Sequence, residues 1–493
     1  MKLRIANGPS RRSLGTAFGL GLLAALGQEP FGAWYIALPA FVMLMHLVGN
    51  SPTARHSAVL GWVAGAGYFA LALSWIVEPF LIDPVRYAWM APFAVIFLSG
   101  GLALFWAFAG ALAGRFPNRV LGFALTLTAA ELARGYVLTG FPWALVGHLW
   151  IKTPVAQIAG LIGASGLSLM VLLPAALIAL CRLVPALIGA SLWLAGLAYG
   201  LFTLSQPMPP DTANMLRLVQ PNAAQSMKWD PDAAKTFLDR QLAFTAAEPA
   251  VDLVIWPETA LPYLIDRHPE LWRMISAAAQ GGRVALGLQR VEGARGWNNL
   301  TVIGPDALPE ASYDKHHLVP FGEYIPFGDI AYDWFGISAF AAQAGASYSA
   351  GQGPVVLNLG PKLGKVLPLI CYEAVFPQDL RGTERPDWLL QITNDAWFGT
   401  ISGPFQHAAQ AQLRAIEQGL PLVRVANTGV TAIYDARGRE TASLPFGIAS
   451  YLDARLPGAL PATWYSRYGE TPILVLLCGL GLLLIARRPA PTA

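Results

Sequence analysis

From about residue 13 to residue 204 the chain is a succession of apolar stretches separated by short breaks. Each is close to the length a bilayer demands, about 20 residues of helix. Helices are expected near 13–27, 33–49, 57–78, 88–114, 119–135, 155–181 and 184–204, with a last one near 472–486. This pattern predicts a multi-pass α-helical membrane bundle of eight transmembrane helices, because within lipid a helix satisfies its own backbone. Basic residues in short loops set orientation. With the N-terminus cytoplasmic, that side carries Lys2, Arg4, Arg11, Arg12, Arg55, Arg115, Arg119, Arg182, Arg487 and Arg488. The short loops opposite carry only Arg86, Arg134 and Lys152. Seven crossings then put residues 205–471 outside the cytoplasm and return the C-terminus to it. A cleaved signal peptide over 1–27 is the rival reading. Removing it would strand the second helix, and the alternation of charge favours keeping it.

Charge divides the chain in the same way. Residues 206–470 hold 26 of the 30 Asp/Glu and 20 of the 33 Lys/Arg, a net of −6, whereas the remainder holds 4 acids and 13 bases, a net of +9. The overall +3 averages two different objects and gives no reason to expect a nucleic-acid partner. Three segments are expected: a membrane domain at 1–205, an extracytoplasmic domain at 206–470, and a C-terminal helix with a short tail at 471–493. Within the membrane part Glu131 and Arg134 lie one helical turn apart. Such residues are costly in lipid and usually paired, so they read as a structural ion pair or as a lipid-headgroup contact.

From 215 to 455 short β-type runs alternate with amphipathic helical windows. Strands are expected at Leu216–Pro221, Val251–Trp256, Arg283–Gln289, Leu300–Gly304, Lys365–Cys371, Trp388–Thr393, Leu422–Ala426 and Thr431–Asp435, and helices at 231–247, 270–280 and 404–419. The alternation predicts an α/β layered domain with helices covering a sheet. There is no tandem repeat, Gly-rich phosphate loop or metal-ligand spacing. His316-His317 lacks a metal motif, and neither a metal nor a cofactor is expected.

Reactive side chains gather at strand ends. Cys371 closes the apolar run Lys365-Val366-Leu367-Pro368-Leu369-Ile370 and stands beside Tyr372 and Glu373, while Cys181 and Cys478 lie in long apolar segments. A lone thiol at a strand end reads as a nucleophile, and a thiol needs a base or a positive neighbour to react at neutral pH. Glu258, just past an apolar strand in Trp256-Pro257-Glu258, could take the proton. Lys315, near the start of another strand, could stabilise an oxyanion. The set suits acyl transfer through a thioester.

The ordered motifs Trp256-Pro257-Glu258, Lys315-His316-His317-Leu318-Val319-Pro320-Phe321-Gly322-Glu323-Tyr324 and Cys371-Tyr372-Glu373 resemble the nitrilase superfamily and its Glu-Lys-Cys triad. With Gly140-Phe141-Pro142-Trp143, Thr393-Asn394-Asp395-Ala396-Trp397-Phe398-Gly399 and Arg424-Val425-Ala426-Asn427-Thr428-Gly429, nearly the whole chain resembles the apolipoprotein N-acyltransferase family. The resemblance implies a nitrilase-like αββα sandwich, with Cys371 as nucleophile, Glu258 as general base and Lys315 as stabiliser of the tetrahedral intermediate. It implies supporting roles for Glu323, Tyr372 and Glu373. It also implies an entrance position for Trp229 and a polar position at Asn298 or Asn299, between which the residues themselves do not choose.

The implied reaction moves an acyl chain from a phospholipid, of the phosphatidylethanolamine type, to Cys371 and then to the α-amino group of a diacylglyceryl-cysteine on an apolipoprotein. The implied setting is the bacterial inner membrane, with the catalytic domain in the periplasm and a monomer as the working unit. The aromatic-rich segment 324–350, with Trp334 and Phe335, reads as an interfacial arm that admits lipid. A membrane-tethered amidase hydrolysing a small amide is the enzymatic rival. A transporter or sensor with an inactive ligand-binding domain is the non-enzymatic one, disfavoured by the intact triad.

Overall fold

The computed structural model describes residues 8–228, 230–261, 268–293, 295–325, 347–382 and 384–486. It divides into two compact units: one of residues 1–206, 401–409 and 463–493, the other of residues 207–400 and 410–462.

The first unit is helical. Its longer helices are Arg11–Ala25, Trp34–Gly49, Ala54–Ala72, Ala91–Ala113, Arg119–Arg134, Ala159–Ala179, Leu183–Ser205 and Thr471–Ala486. Ser10, Thr53 and Asn118 cap three of them by accepting a backbone N–H in the first turn, which meets donors the helix leaves open. Small residues let helices meet backbone to backbone: a Cβ on Gly61 would lie 2.6 Å from the carbonyl oxygen of Trp106. The stretch expected as one helix over 57–78 ends at Ala72 and resumes as a 3-10 helix over Ser74–Leu81, bent by 48°. Pro79 lies inside that second piece, where it removes a backbone donor and opposes regular helix.

Among the described residues three helices are long and apolar enough to cross a bilayer, Pro84–Ala113, Pro154–Ala179 and Leu183–Ser205, with a fourth if the bent pair counts as one span. Trp34–Gly49 and Thr471–Ala486 are apolar but only 16 residues each. Length and composition in the folded chain therefore support three or four spans, against the eight expected, because turns and breaks shorten the regular helices.

Glu131 and Arg134 are fully inside this unit, 0% and 1% exposed. Arg134 Nη2 donates to Glu131 Oε2 at 3.1 Å, and Nη1 donates to the carbonyls of Phe141 and Trp143 at 2.6 and 2.8 Å. Glu131 also accepts from Trp106 Nε1 at 3.0 Å and from the Val146 N–H at 3.0 Å. The pair is thus the structural one of the two readings. It ties the irregular segment after Arg134 to its own helix and to a neighbouring one.

The second unit contains twelve described strands: β1 (Met215–Gln220), β2 (Leu253–Ile255), β3 (Arg283–Glu292), β4 (Arg295–Ile303), β5 (Pro309–Asp314), β6 (Leu357–Asn358), β7 (Lys365–Ile370), β8 (Trp388–Thr393), β9 (Leu422–Ala426), β10 (Ala432–Tyr434), β11 (Glu440–Ser443) and β12 (Ser450–Arg455). They form two six-stranded sheets, ordered β12-β1-β2-β3-β4-β5 and β11-β10-β9-β8-β7-β6. Each has a parallel centre, β1-β2-β3 or β7-β8-β9, and antiparallel edges. Leu238 of helix Pro231–Thr245 and Leu271 and Ile275 of helix Pro269–Ala278 pack on Val254, Val284 and Leu286. Ala411 and Ala415 of helix Gly403–Gln418 pack on Leu369, Leu389 and Leu422. The opposite faces meet through β1 with β9 and β4 with β7, which gives an αββα sandwich.

Four strands were not expected, β5, β6, β11 and β12, all at or beside sheet edges. Their residues are mostly half-buried or exposed, so they lack an apolar run. β4 begins five residues earlier than expected, because the β3–β4 hairpin pairs from Val284↔Ile303 to Glu292↔Arg295.

Glu131→Ala should leave Arg134 buried without its counter-charge and Trp106 and Val146 without an acceptor. Breaking such a pair costs about 3–5 kcal/mol. A marked fall in Tm of the detergent-solubilised protein checks it; an unchanged Tm would contradict the role given to the pair.

Candidate active site

Strand ends of the second unit, two in the parallel centres and one at an antiparallel edge, deliver side chains to one place. β7 ends at Ile370, and Cys371 follows at once with φ +54, opening a 3-10 turn over Cys371–Val375. A non-glycine residue there is strained, and the surroundings must hold it. Gln391 Nε2 does so by donating to the Cys371 carbonyl at 3.0 Å. Glu258 stands three residues beyond β2. Lys315 directly follows β5, so it leaves the end of a strand and not, as expected, the start of one. The strand was missed because it has no apolar run and, apart from Tyr313, its residues are exposed or half-buried.

Lys315 is 1% exposed. Its Nζ lies 2.9 and 2.8 Å from the two oxygens of Glu323 and 3.8 Å from Glu258 Oε1. Asn298 Nδ2 bridges the carboxylates, donating to Glu258 Oε1 at 2.7 Å and to Glu323 Oε1 at 3.1 Å. The Asn394 N–H donates to Glu258 Oε2 at 2.8 Å, and the Val319 N–H to Glu323 Oε2 at 2.8 Å. Burial by itself would lower the Lys315 pKa, but Glu323, Glu258 and Cys371 around it hold it above the ordinary lysine value. Lys315 is therefore a permanent cation.

Burial pushes the Cys371 thiol well above its usual value and Glu258 adds to this, outweighing Lys315 and a hydrogen bond with Thr393. A raised pKa favours the thiol over the thiolate, and a thiol must give up its proton to a base before it can act as a nucleophile. Tyr372 packs edge-on against Phe376 and His317. Glu373 is fully buried and acts as a clamp: its Oε2 accepts from the Ile370 N–H at 2.7 Å, its Oε1 from the Tyr313 hydroxyl at 2.7 Å and from the His316 N–H at 2.8 Å. The strand end carrying Cys371 is thereby fixed to the segment carrying Lys315.

His316 Nδ1 lies 2.8 Å from Glu373 Oε1, and its Nε2 3.3 Å from Asp379 Oδ2. Burial would lower its pKa, but Asp379 and Glu373 raise it to about 9. His316, His317 and Asp379 bring their ligand atoms within 4.8 Å of one another and are the group among the described residues that could hold a cation. The sequence spacing did not suggest it, since Asp379 comes from a separate segment. Both histidines reach Asp379 Oδ2, His316 Nε2 at 3.3 Å and His317 Nδ1 at 2.9 Å.

Asn298 and Asn299 are separated by the alternation of β4. Asn298 joins the carboxylates, whereas Asn299 Nδ2 donates away from them, to Ser312 Oγ and Asp314 Oδ1 at 2.9 and 2.8 Å. Asn299 is therefore not brought into the site. Trp229, Trp334 and Phe335 lie outside the described residues.

A family model described as apolipoprotein N-acyltransferase N-terminal domain matches residues 20–177, and one described as carbon-nitrogen hydrolase matches residues 206–460. A protein named apolipoprotein N-acyltransferase from Caulobacter vibrioides is 38% identical, over 93% of this chain and 91% of its own. One of the same name from Sinorhizobium fredii is 37% identical, over 93% and 92%. This chain belongs to the apolipoprotein N-acyltransferase family.

Two residues to which the sequence reading gave no role also touch the Glu258 turn, Asn394 from within a quoted motif and Gly287 from outside any. Asn394 supplies the backbone donor to Glu258 and is itself held by Asn427, whose Nδ2 donates to Asn394 Oδ1 at 2.9 Å. Its signal was present, as an amide directly after an apolar strand. Gly287 of β3 had none: a Cβ there would lie 2.5 Å from the Pro257 oxygen and 2.6 Å from the Glu258 Cα.

Gly287→Ala should push the Glu258 turn out of place. A displacement of this kind costs about 100-fold in rate, read as the rate of covalent labelling of Cys371 by an acyl donor, with the domain still folded by circular dichroism. For His316 the folded pKa of about 9 exceeds the unfolded value of 6.5. Its stabilising contribution is therefore complete below pH 6.5 and lost as pH rises through about 9. Unfolding measured across pH 6–10 should show that loss in wild type and not in His316→Gln.

Proposed function

We propose that the chain is a phospholipid-dependent N-acyltransferase that completes the amino terminus of apolipoproteins through a Cys371 thioester. The observation that carries the reading is the buried set Glu258, Lys315, Glu323 and Asn298 grouped with a neutral thiol, in a chain related along 93% of its length to proteins named for this activity.

In the first step Glu258 takes the thiol proton as Cys371 Sγ attacks the carbonyl carbon of a phospholipid ester. The oxyanion of the tetrahedral intermediate rests beside the Lys315 ammonium. The ester C–O bond then breaks, Glu258 returns the proton to the departing alcohol oxygen, and a lysophospholipid leaves. In the second step the α-amine of the S-diacylglyceryl-cysteine attacks the thioester. Glu258 takes the amine proton, the C–S bond breaks, and the proton returns to sulfur as the amide forms. Glu323 pairs with Lys315 and keeps its charge aimed, while Tyr372 and Glu373 support the nucleophile. Asn298 Oδ1 is buried and has no donor among the described residues, which supports a substrate-contacting position for Asn298 over Asn299.

The first unit serves as the anchor. Eight spans, with residues 206–470 periplasmic and both termini cytoplasmic in a bacterial inner membrane, remain the arrangement that the loop charges support. Exposed Phe93, Phe97, Phe108, Leu194 and Phe202 support a lipid-facing surface. Holding the catalytic unit at the leaflet that contains both lipids raises their effective concentration. A phosphatidylethanolamine-type donor and a working monomer complete the proposal.

Intact-protein mass spectrometry after incubation with phospholipid should show one added acyl mass on wild type and none on Cys371→Ala. A diacylated lipopeptide should remove it, and buffer alone should not. An adduct that buffer clears at the same rate would favour the amidase reading, and no adduct on wild type would reject the thioester.

A further inference from the structure

A second buried lysine touches the Glu258 turn. Lys228 is 3% exposed, its Nζ donates to Thr259 Oγ1 at 2.7 Å, and it lies 3.5 Å from the Glu258 carbonyl oxygen. The residues just before it form a 3-10 turn, Gln225–Met227. From that turn Gln225 Oε1 accepts from Asn394 Nδ2 at 2.7 Å, and the Asn394 N–H is the donor to Glu258 Oε2. One short segment therefore grips both sides of Glu258: its own turn through Lys228, and its backbone donor through Gln225.

The turn needs such a grip. Thr259 has φ +44, which is unfavourable for a β-branched residue and persists only where the surroundings impose it. A neutral donor could bond Thr259 without burying a charge, and burying an ammonium is expensive. What the ammonium adds is its field at Glu258, with which it interacts electrostatically. Glu258 also faces Lys315 at 3.8 Å and, through Asn298, Glu323, with the Cys371 thiol and the Tyr348 phenol acting on it as well.

We propose that Lys228 is a positioning residue for acyl transfer, holding the Glu258–Thr259 turn in its strained conformation and placing a positive charge beside the base. The inference rests on the reading of Glu258 as the base for Cys371. Burial lowers the Lys228 pKa to about 8, against the pull of Glu258, so below that pH its charge is in place.

The test is the rate of acyl-adduct formation on the full-length protein in detergent micelles with phosphatidylethanolamine, followed by intact mass from pH 5 to 7.5. Lys228→Met should slow adduct formation at least about tenfold and move the acid limb of the rate profile upward by about one pH unit. Lys228→Arg, which keeps the charge, should restore the limb to its wild-type position. Thr259→Val removes the tie and spares the charge, so it should slow the reaction with the limb unmoved. If Lys228→Met is slow but its limb coincides with wild type, or if Thr259→Val reacts as wild type does, the inference is overturned while the site reading stands. If wild type itself forms no Cys371 adduct, the site reading and the inference fall together.

Discussion

The catalytic unit depends on one buried ammonium, Lys315. Alone, a charge 1% exposed would be untenable. Its bidentate contact with Glu323 and the nearby Glu258 make it stable, and these same neighbours dictate the rest of the site. Two carboxylates so close need donors, which Asn298, Asn394 and Val319 supply. A thiolate added to this group would bring another negative charge into a dry place, so burial and Glu258 push the Cys371 thiol up. Stability of the ammonium and the raised thiol pKa are consequences of one arrangement.

The αββα sandwich makes that arrangement reproducible. Glu258, Lys315, Cys371 and Asn394 follow the ends of β2, β5, β7 and β8, and these strands come from both sheets. A rigid core on each sheet fixes the strand ends, while hydrogen bonds between the loops fix the last ångström. Glu373 is the clearest example. Its two oxygens join the β7 end to Tyr313 and His316, so Cys371 and Lys315 cannot drift apart independently. The same principle works in the helical unit, where Glu131 and Arg134 spend their charges on backbone groups of an irregular segment instead of on solvent.

Much of the fold was legible because its signals are local. The buried central strands Lys365–Ile370, Trp388–Thr393 and Leu422–Ala426 announce themselves as apolar runs, and the amphipathic helices Pro231–Thr245 and Gly403–Gln418 by their periodicity. Edge strands β5, β11 and β12 have one face or neither in a core, so their composition resembles that of loops. The helices of the first unit were legible as apolar stretches. Their regular lengths were not, because Pro79 and the turns between helices shorten them.

By itself the sequence marked which residues are candidates for chemistry. A thiol at a strand end, a carboxylate after Trp256-Pro257 and a lysine before His316-His317 are one-dimensional facts, and their order is sufficient to suggest a family. Only the tertiary structure decided which of two adjacent asparagines serves the site, since the strand alternation turns Asn298 toward the carboxylates and Asn299 away. It alone showed why β3 has a glycine at 287, where a Cβ would strike the Glu258 turn. It alone brought Lys228 to Thr259, 31 positions along the chain. The reason is common to all three: direction, contact distance and charge proximity depend on pairings between distant strands, and no local pattern of residue types records them.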